Sequence, residues 1–459
     1  MIENFSPYLE YKDSGHPCFG EIPKHWKVLR NGRIFLQRNE TGYPDLPILE
    51  VSLKTGVRVR DFKNSKRKQV MSDREKYKRV IRGDIAYNMM RMWQGAVGVA
   101  PVDGLVSPAY VVASPFSEVD SHYYSYLFRT HTYMNEVNKY SHGIVADRNR
   151  LYWDEFKQIP SLYPPHEEQN KIVKYLDFQL TKINKFIKVK KKLISVLNEQ
   201  KQAVINQAVT KGIHSNIKMK PSGIDWIGEI PNHWNVMRGK FLFKNKKELN
   251  TNNQCGNVLS LTLRGVVNNC LDNPEGLVPK DYNTYQIFEK NDLVFKLIDL
   301  ENFQTSRVGL VPERGIMSPA YIRLTSIQNN DIKYFYYQYF NLYLGRVYNN
   351  LGAGVRSTLS GKDLLEIPIV VPSYSEQVEI REFIISNLRG IDNIISKTQD
   401  EINLISEYST RLISDVVTGK VDIRNFFVDE VFNEDIGINY IDEEIEDNDE
   451  VVDSEECEV

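Results

Sequence analysis

Between Lys54 and Arg91 the chain carries thirteen lysines and arginines against four aspartates and glutamates. The densest part holds Lys54, Arg58, Arg60, Lys63, Lys66, Arg67 and Lys68, and Gly56 and Asn64-Ser65 mark turns inside it. A basic loop of this kind suits a polyanion: ammonium and guanidinium groups pair with phosphates, and an arginine fork matches the paired acceptors of guanine. Arg91 follows closely, beside Trp93-Gln94-Gly95. Further on, Arg148-Asn149-Arg150 and Arg356-Ser357-Thr358 lie in glycine-flanked loops, with Arg148 and Arg356 separated by 208 residues. In the later half, Arg264, Asn268, Asn269, Asn302, Gln304 and Arg307 offer the side chains that suit adenine and guanine edges. The predicted DNA-contact set is therefore Lys54, Arg58, Arg60, Lys63, Lys66, Arg67, Lys68, Arg91, Arg148, Arg150, Arg264, Arg307 and Arg356. A solvated basic face is the competing reading for each of them.

Other chemistries find little support. Asp45, Asp61 and Lys63 fit a loose pattern of paired carboxylates and lysine around a magnesium ion, but the second half of the chain lacks it. Tyr163-Pro164-Pro165-His166 has the look of an adenine-holding motif, yet it stands where a helix begins. No phosphate-binding G-x-x-x-x-G-K-[ST] loop is present, and the eight histidines show no i, i+4 pair for a metal. Cys18, Cys255, Cys270 and Cys457 are scattered, which indicates neither disulfides nor a zinc knuckle. The N-terminus lacks a signal-peptide pattern and no apolar run is long enough for a membrane span, so a cytoplasmic protein without catalytic or metal-binding residues is expected.

The elements that must position these residues come from an internal repeat. Gly20-Glu21-Ile22-Pro23-Lys24-His25-Trp26 recurs as Gly228-Glu229-Ile230-Pro231-Asn232-His233-Trp234. Ser107-Pro108-Ala109-Tyr110 recurs as Ser318-Pro319-Ala320-Tyr321, Ile159-Pro160 as Ile367-Pro368, and Glu168-Gln169 as Glu376-Gln377. The order is kept throughout, so the chain is an internal duplication. Charge divides it differently. The last 31 residues, from Asp429, hold 15 acidic residues and no lysine or arginine, which leaves 58 basic against 45 acidic residues in the rest. A basic body with an acidic, solvated tail points to a nucleic-acid partner.

Each copy has two parts. The first is rich in short alternating apolar runs, such as Pro47–Leu53 and Asp292–Lys296, with aromatic helices packed against them. The second is a stretch such as 166–211 that contains no glycine or proline. Its apolar residues Leu176, Leu180, Ile183, Ile187, Ile194, Leu197, Val204 and Ala208 follow a heptad spacing, repeated as Ile384, Leu388, Ile391, Ile395, Ile402, Ile405, Leu412 and Val416. Two such helices in one chain predict an antiparallel coiled coil. The expected fold is α+β and internally duplicated: two mixed α/β globules, 1–165 and 213–373, joined by helices at 166–212 and 374–424, with a tail at 425–459.

The phrases Phe156–Pro160, Pro164–Val173, Leu365–Pro372 and Glu376-Gln377, together with the repeated Gly-Glu-Ile-Pro-x-His-Trp and Ser-Pro-Ala-Tyr, resemble the specificity (S) subunit of bacterial type I restriction–modification systems. The resemblance spans about Tyr11 to Arg424. It implies that each globule is a target recognition domain reading one half of a split, asymmetric site in double-stranded DNA, with the helices setting the half-site spacing. It also implies two modification (methyltransferase) subunits as partners, carrying S-adenosylmethionine, and restriction (translocase and endonuclease) subunits using ATP and magnesium. This chain would bind no cofactor itself. A coiled-coil assembly scaffold that does not read DNA is the alternative, and the basic body weighs against it.

Overall fold

Short runs of alternating residues fold into antiparallel strand pairs, and the same set of pairs forms twice. The computed structural model describes residues 6–53, 55–61, 74–143, 149–263, 265–269, 282–298, 300, 306–352 and 358–426. In the first copy a four-stranded sheet runs in the order Phe35–Arg38, Tyr110–Pro115, Ile85–Asn88, Val97–Val99. In the second, Phe243–Asn245, Ile322–Ser326, Leu293–Phe295 and Val308–Leu310 take that order again. The two-stranded pairs recur as well: Tyr11–Asp13 with Glu21–Pro23 becomes Met219–Pro221 with Glu229–Pro231, and Leu49–Ser52 with Gly56–Val59 becomes Leu259–Thr262 with Gly265–Asn268. The duplication read from sequence is thus a duplication of topology.

Burial on both faces explains why the sheet strands are apolar rather than strictly alternating. Ile85, Tyr87, Val111 and Ala113 face a core built with the helices Ser121–Phe128 and His131–Tyr140, while Ala86, Tyr110 and Val112 face the hairpin 49–59. That hairpin sits close. A Cβ on Gly98 would lie 2.5 Å from Val57 N, and one on the corresponding Gly309 would lie 2.6 Å from Leu261 Cδ1. At Gly98 the absent side chain lets the hairpin backbone approach the sheet, and at Gly309 it leaves room for the hairpin side chains Leu261 and Val266.

The central helix, His166–Lys211, falls where the glycine- and proline-free stretch places it, and the C-terminal helix, Tyr374–Val417, falls where the repeated heptads place it. They are not separate bodies. One compact unit comprises 1–188 and 401–459, the other 189–400, so each unit contains a globule and a half of each long helix. Within the first unit, Leu176, Leu180, Ile183 and Ile187 join Ile405, Leu412 and Val416 in one core. Within the second, Ile205, Ala208 and Val209 share a core with Ile380, Ile384 and Leu388. The beginning of one helix therefore packs with the end of the other in each unit, which makes the pair antiparallel. At a polar gap in the seam, Thr398 is buried and turns its hydroxyl back to Ile394 O at 2.8 Å. Among the described residues no helix is long and apolar enough to cross a membrane.

The repeated Gly-Glu-Ile-Pro-x-His-Trp motif serves these helices. Trp26 and Trp234 are 0% and 1% exposed. In the first unit, Pro23 and Trp26 close over Gly419 (φ +76°), just past the end of the C-terminal helix. In the second, Pro231 and Trp234 close over Gly212 (φ +78°), just past the end of the central helix. Both glycines adopt the left-handed conformation that terminates helices, where a side chain would meet the rings. The start of each helix is fixed by the Glu-Gln pair. Gln169 accepts from Asp120 N at 2.9 Å and donates to Pro164 O at 2.9 Å; Gln377 accepts from Asp331 N at 3.0 Å and donates to Pro372 O at 3.0 Å. A globule thus grips the start of the helix that follows it and the end of the other one.

Candidate nucleic-acid interface

The hairpin 49–59 carries the described part of the basic cluster. Arg58 Nε donates to Glu50 Oε1 across the strand pair at 2.9 Å, and Arg60 Nε lies 3.9 Å from Glu50 Oε2. Glu50 is buried, so one carboxylate is shared by two guanidiniums and the hairpin keeps a net positive charge. Arg58 is about one-third exposed and sits one residue before exposed Val59. Arg74, Lys76 and Arg82 are exposed near it in sequence. Lys54, Lys63, Lys66, Arg67 and Lys68 lie outside the described residues, as do Arg148, Arg264, Arg356, Asn302 and Gln304.

Part of the basic run is internal. Lys78 donates to Tyr110 O at 2.8 Å, and burial pushes its ammonium below the usual lysine range. Arg79 lies 4.5 Å over the Tyr43 ring and pairs with Glu40 at 3.0 Å. These two residues tie strand Lys78–Val80 to its neighbours. Arg91 is half-buried ahead of the short turn Met92–Gln94, and Trp93 packs on the core with its indole donating to Met90 O at 3.0 Å. Arg150 is half-buried, paired through its backbone with His142 and reaching Tyr152 Oη at 3.5 Å.

Arg307 requires a correction: it is 2% exposed, not a surface reader. Its guanidinium turns inward and donates to Ile298 O at 3.2 Å. Asn268 is exposed and donates to Glu313 at 2.8 Å, and Asn269 donates to Ser260 Oγ at 3.1 Å, both on the hairpin 259–268 or directly after it. Of the described candidates, Arg58 and Arg60 lie on or directly after the first hairpin, Asn268 and Asn269 lie at the equivalent hairpin of the second unit, and Arg91 and Arg150 lie half-buried elsewhere in the first unit.

Sequence reasoning passed over a charged pair that supports both sheets. Asp84 and Asp292, 208 residues apart, close equivalent turns by accepting from Ile81 N at 2.9 Å and Glu289 N at 2.7 Å. Asp84 holds Arg38 Nε at 2.7 Å; Asp292 holds Arg323 Nε at 2.5 Å and Thr325 Oγ1 at 2.9 Å. The signal was the aspartate after Gly83 or Asn291, both left-handed (φ +91° and +68°), directly before an apolar strand. Among the described residues no group of histidine, cysteine or carboxylate side chains could hold a metal ion. The equivalent hairpins carry cationic side chains in the first unit and amide side chains in the second.

Residues 231–404 match the family model described as the type I restriction modification DNA specificity domain. A chain in a solved structure concerned with complex assembly and conformational transition of the type I R-M system superposes with a TM-score of 0.63, at 13% identity, over 87% of this chain and 99% of that one. The HsdS subunit from Thermoanaerobacter tengcongensis gives 0.45 at 13% identity, over 87% of this chain and 98% of its own. The type I S subunit from M. genitalium gives 0.35 at 11%, over 90% and 98%. The matched domain thus lies in the second copy of this chain, and the first copy repeats its strand topology.

Proposed function

We propose that this chain is the DNA-reading subunit of a type I restriction–modification complex, each unit recognising one half of a split, asymmetric site. The observation that carries this reading is one fold built twice with different described side chains at equivalent places: Arg58 and Arg60 at the first hairpin, Asn268 and Asn269 at the second. Equivalent frames with unlike surfaces suit two unlike half-sites on one duplex. The two long helices, in which both units share, would set the half-site spacing and dock the modification subunits. Those partners would bring S-adenosylmethionine and adenine methylation, restriction subunits would bring ATP, and this chain would perform no chemistry itself. Such a complex works on chromosomal DNA in the cytoplasm.

Genome-wide adenine methylation tests this, in cells making the cognate modification subunit with and without the chain. One split motif, methylated in both arms and present only with the chain, is the expected result. If the complex assembles and no chain-dependent motif appears, the units do not select DNA and the scaffold reading takes over.

A further inference from the structure

One face of the central helix, within the first unit, is lined by lysines. At about 100° per residue, Lys171, Lys174, Lys182, Lys185 and Lys188 fall within an arc of about 120°, opposite the buried stripe of Leu176, Leu180, Ile183 and Ile187. All five lysines are exposed. Asp177, at the edge of the arc, accepts from Tyr126 Oη at 2.6 Å and so is turned toward the globule.

The described part of the C-terminal segment reaches this same face. After the C-terminal helix the chain turns at Gly419, and Asp422 N donates to Ser6 O. Arg424 O accepts from Lys171 Nζ at 3.2 Å. Phe426, the last described residue, packs its ring 4.8 Å from Tyr175 and 5.6 Å from Phe178. Phe178 lies inside the lysine arc, and Lys182 Nζ sits 3.8 Å over its ring. Beyond Phe426 come 33 residues, with 15 carboxylates from Asp429 on and no cation. Asp429 and Glu430 can extend about 10–14 Å from Phe426, while Lys182 stands one turn, about 6 Å, along the helix from Phe178.

We infer that the acidic segment 429–459 docks on the lysine face Lys171–Lys188 of its own chain. The observations that support this are the place of Phe426 beside the lysine face and the opposite charges of that face and of the segment that follows. Tethering holds the carboxylates at high effective concentration over the lysines, so the contact needs no tight pairwise bond. Phosphates of passing DNA are then held off this face, and DNA contact is left to the hairpins of the globules.

Amine acetylation of the full chain, compared with a chain ending at Phe426, tests the docking. In low salt, Lys174, Lys182, Lys185 and Lys188 should react severalfold faster once the segment is removed. The difference should disappear when salt shortens the screening length to about 3 Å. A zero-length carbodiimide cross-link between tail carboxylates and these lysines in the full chain is the second expected result, weakened by K182Q/K185Q/K188Q. Unchanged acetylation overturns the proposal. So do cross-links that reach the exposed Lys218, Lys333 and Lys362 as often as the central-helix lysines, because they would show a tail attracted to no particular surface.

Discussion

The two copies reach the same joints with different residues. In the first unit Glu168, at the start of the central helix, accepts from Tyr8 Oη on one oxygen and meets His25 Nε2 at 2.7 Å on the other. In the second, Glu376 meets His233 at 2.8 Å, and Trp234 Nε1 donates to it at 3.2 Å in the place of a tyrosine. Trp26 Nε1, the counterpart donor, has no acceptor within hydrogen-bonding distance among the described residues. The end of the C-terminal helix gives its Val417 carbonyl to Tyr123 Oη, whereas the end of the central helix gives Val209 to Gln338. The joint is what recurs: a carboxylate at one helix start and an accepted carbonyl at the other helix end. The residue that completes it varies, so long as a donor of the right reach is present. A frame held this way can keep its geometry while its outer residues change.

Removing the tryptophans breaks the comparison at its strongest shared point. Trp26→Ala and Trp234→Ala each delete a fully buried ring and should cost about 3–5 kcal/mol. Hydrogen exchange resolved by peptide reads each unit separately, which matters because a two-unit chain need not unfold in one step. The expected result is loss of protection confined to the mutated unit, including the helix end under the missing ring. A small loss for Trp26→Ala would mean that Gly419 is held by something other than Pro23 and Trp26, and the equivalence of the two joints would fail.

How much of this was legible in the sequence depends on the distance over which each feature is determined. The central helix was readable from its glycine- and proline-free stretch and both helices from their heptads, because a helix is set by neighbours a turn apart. The duplication was readable because identical residues recur in order. Charge was the weak guide. Lys78 and Arg79 count as basic surface in sequence, but their partners, Tyr110 and Glu40, are more than thirty residues away and reach them only after the strands pair. Arg307 failed for a different reason: its acceptor, Ile298 O, is only nine residues away, but the inward turn of its side chain depends on the packing around it. The Glu-Gln motif was visible, but its work, joining a helix start to Asp120 or Asp331, required the fold.

The buried aspartates sharpen the comparison, because their arginines come from different strands. Arg38 stands on strand Phe35–Arg38 and is 18% exposed, while Arg323 stands on strand Ile322–Ser326 and is 1% exposed. Arg323→Met leaves Asp292 charged and enclosed, with a cost of about 3–5 kcal/mol. Arg38→Met should cost less, about 1–3 kcal/mol, because water can reach the vacated site. Adding Asp292→Asn to Arg323→Met should recover part of the loss in a double-mutant cycle. Equal losses for the two arginine variants would show that burial does not set the difference between the copies.

The smallest expected effect is a pH dependence at the second joint. Burial raises the pKa of Glu376, but hydrogen bonds from His233, Trp234 and Ser373 outweigh it and hold the carboxyl below its ordinary value of 4.5. A carboxylate with a lowered folded-state pKa adds stability that is fully present above its unfolded value and fades as pH falls below it. The second unit should therefore weaken on acidification from about pH 4.5 downward, and Glu376→Gln should flatten that slope. Glu376 is partly buried, but its partner His233 is half exposed and the contact is screened by water, so the difference should be roughly half a kcal/mol. Urea midpoints of the second unit, taken by pulse-labelled hydrogen exchange at a series of pH values, measure it. An unchanged slope in Glu376→Gln would mean that the tryptophan's packing over Gly212, rather than its hydrogen bond to the carboxylate, holds this joint.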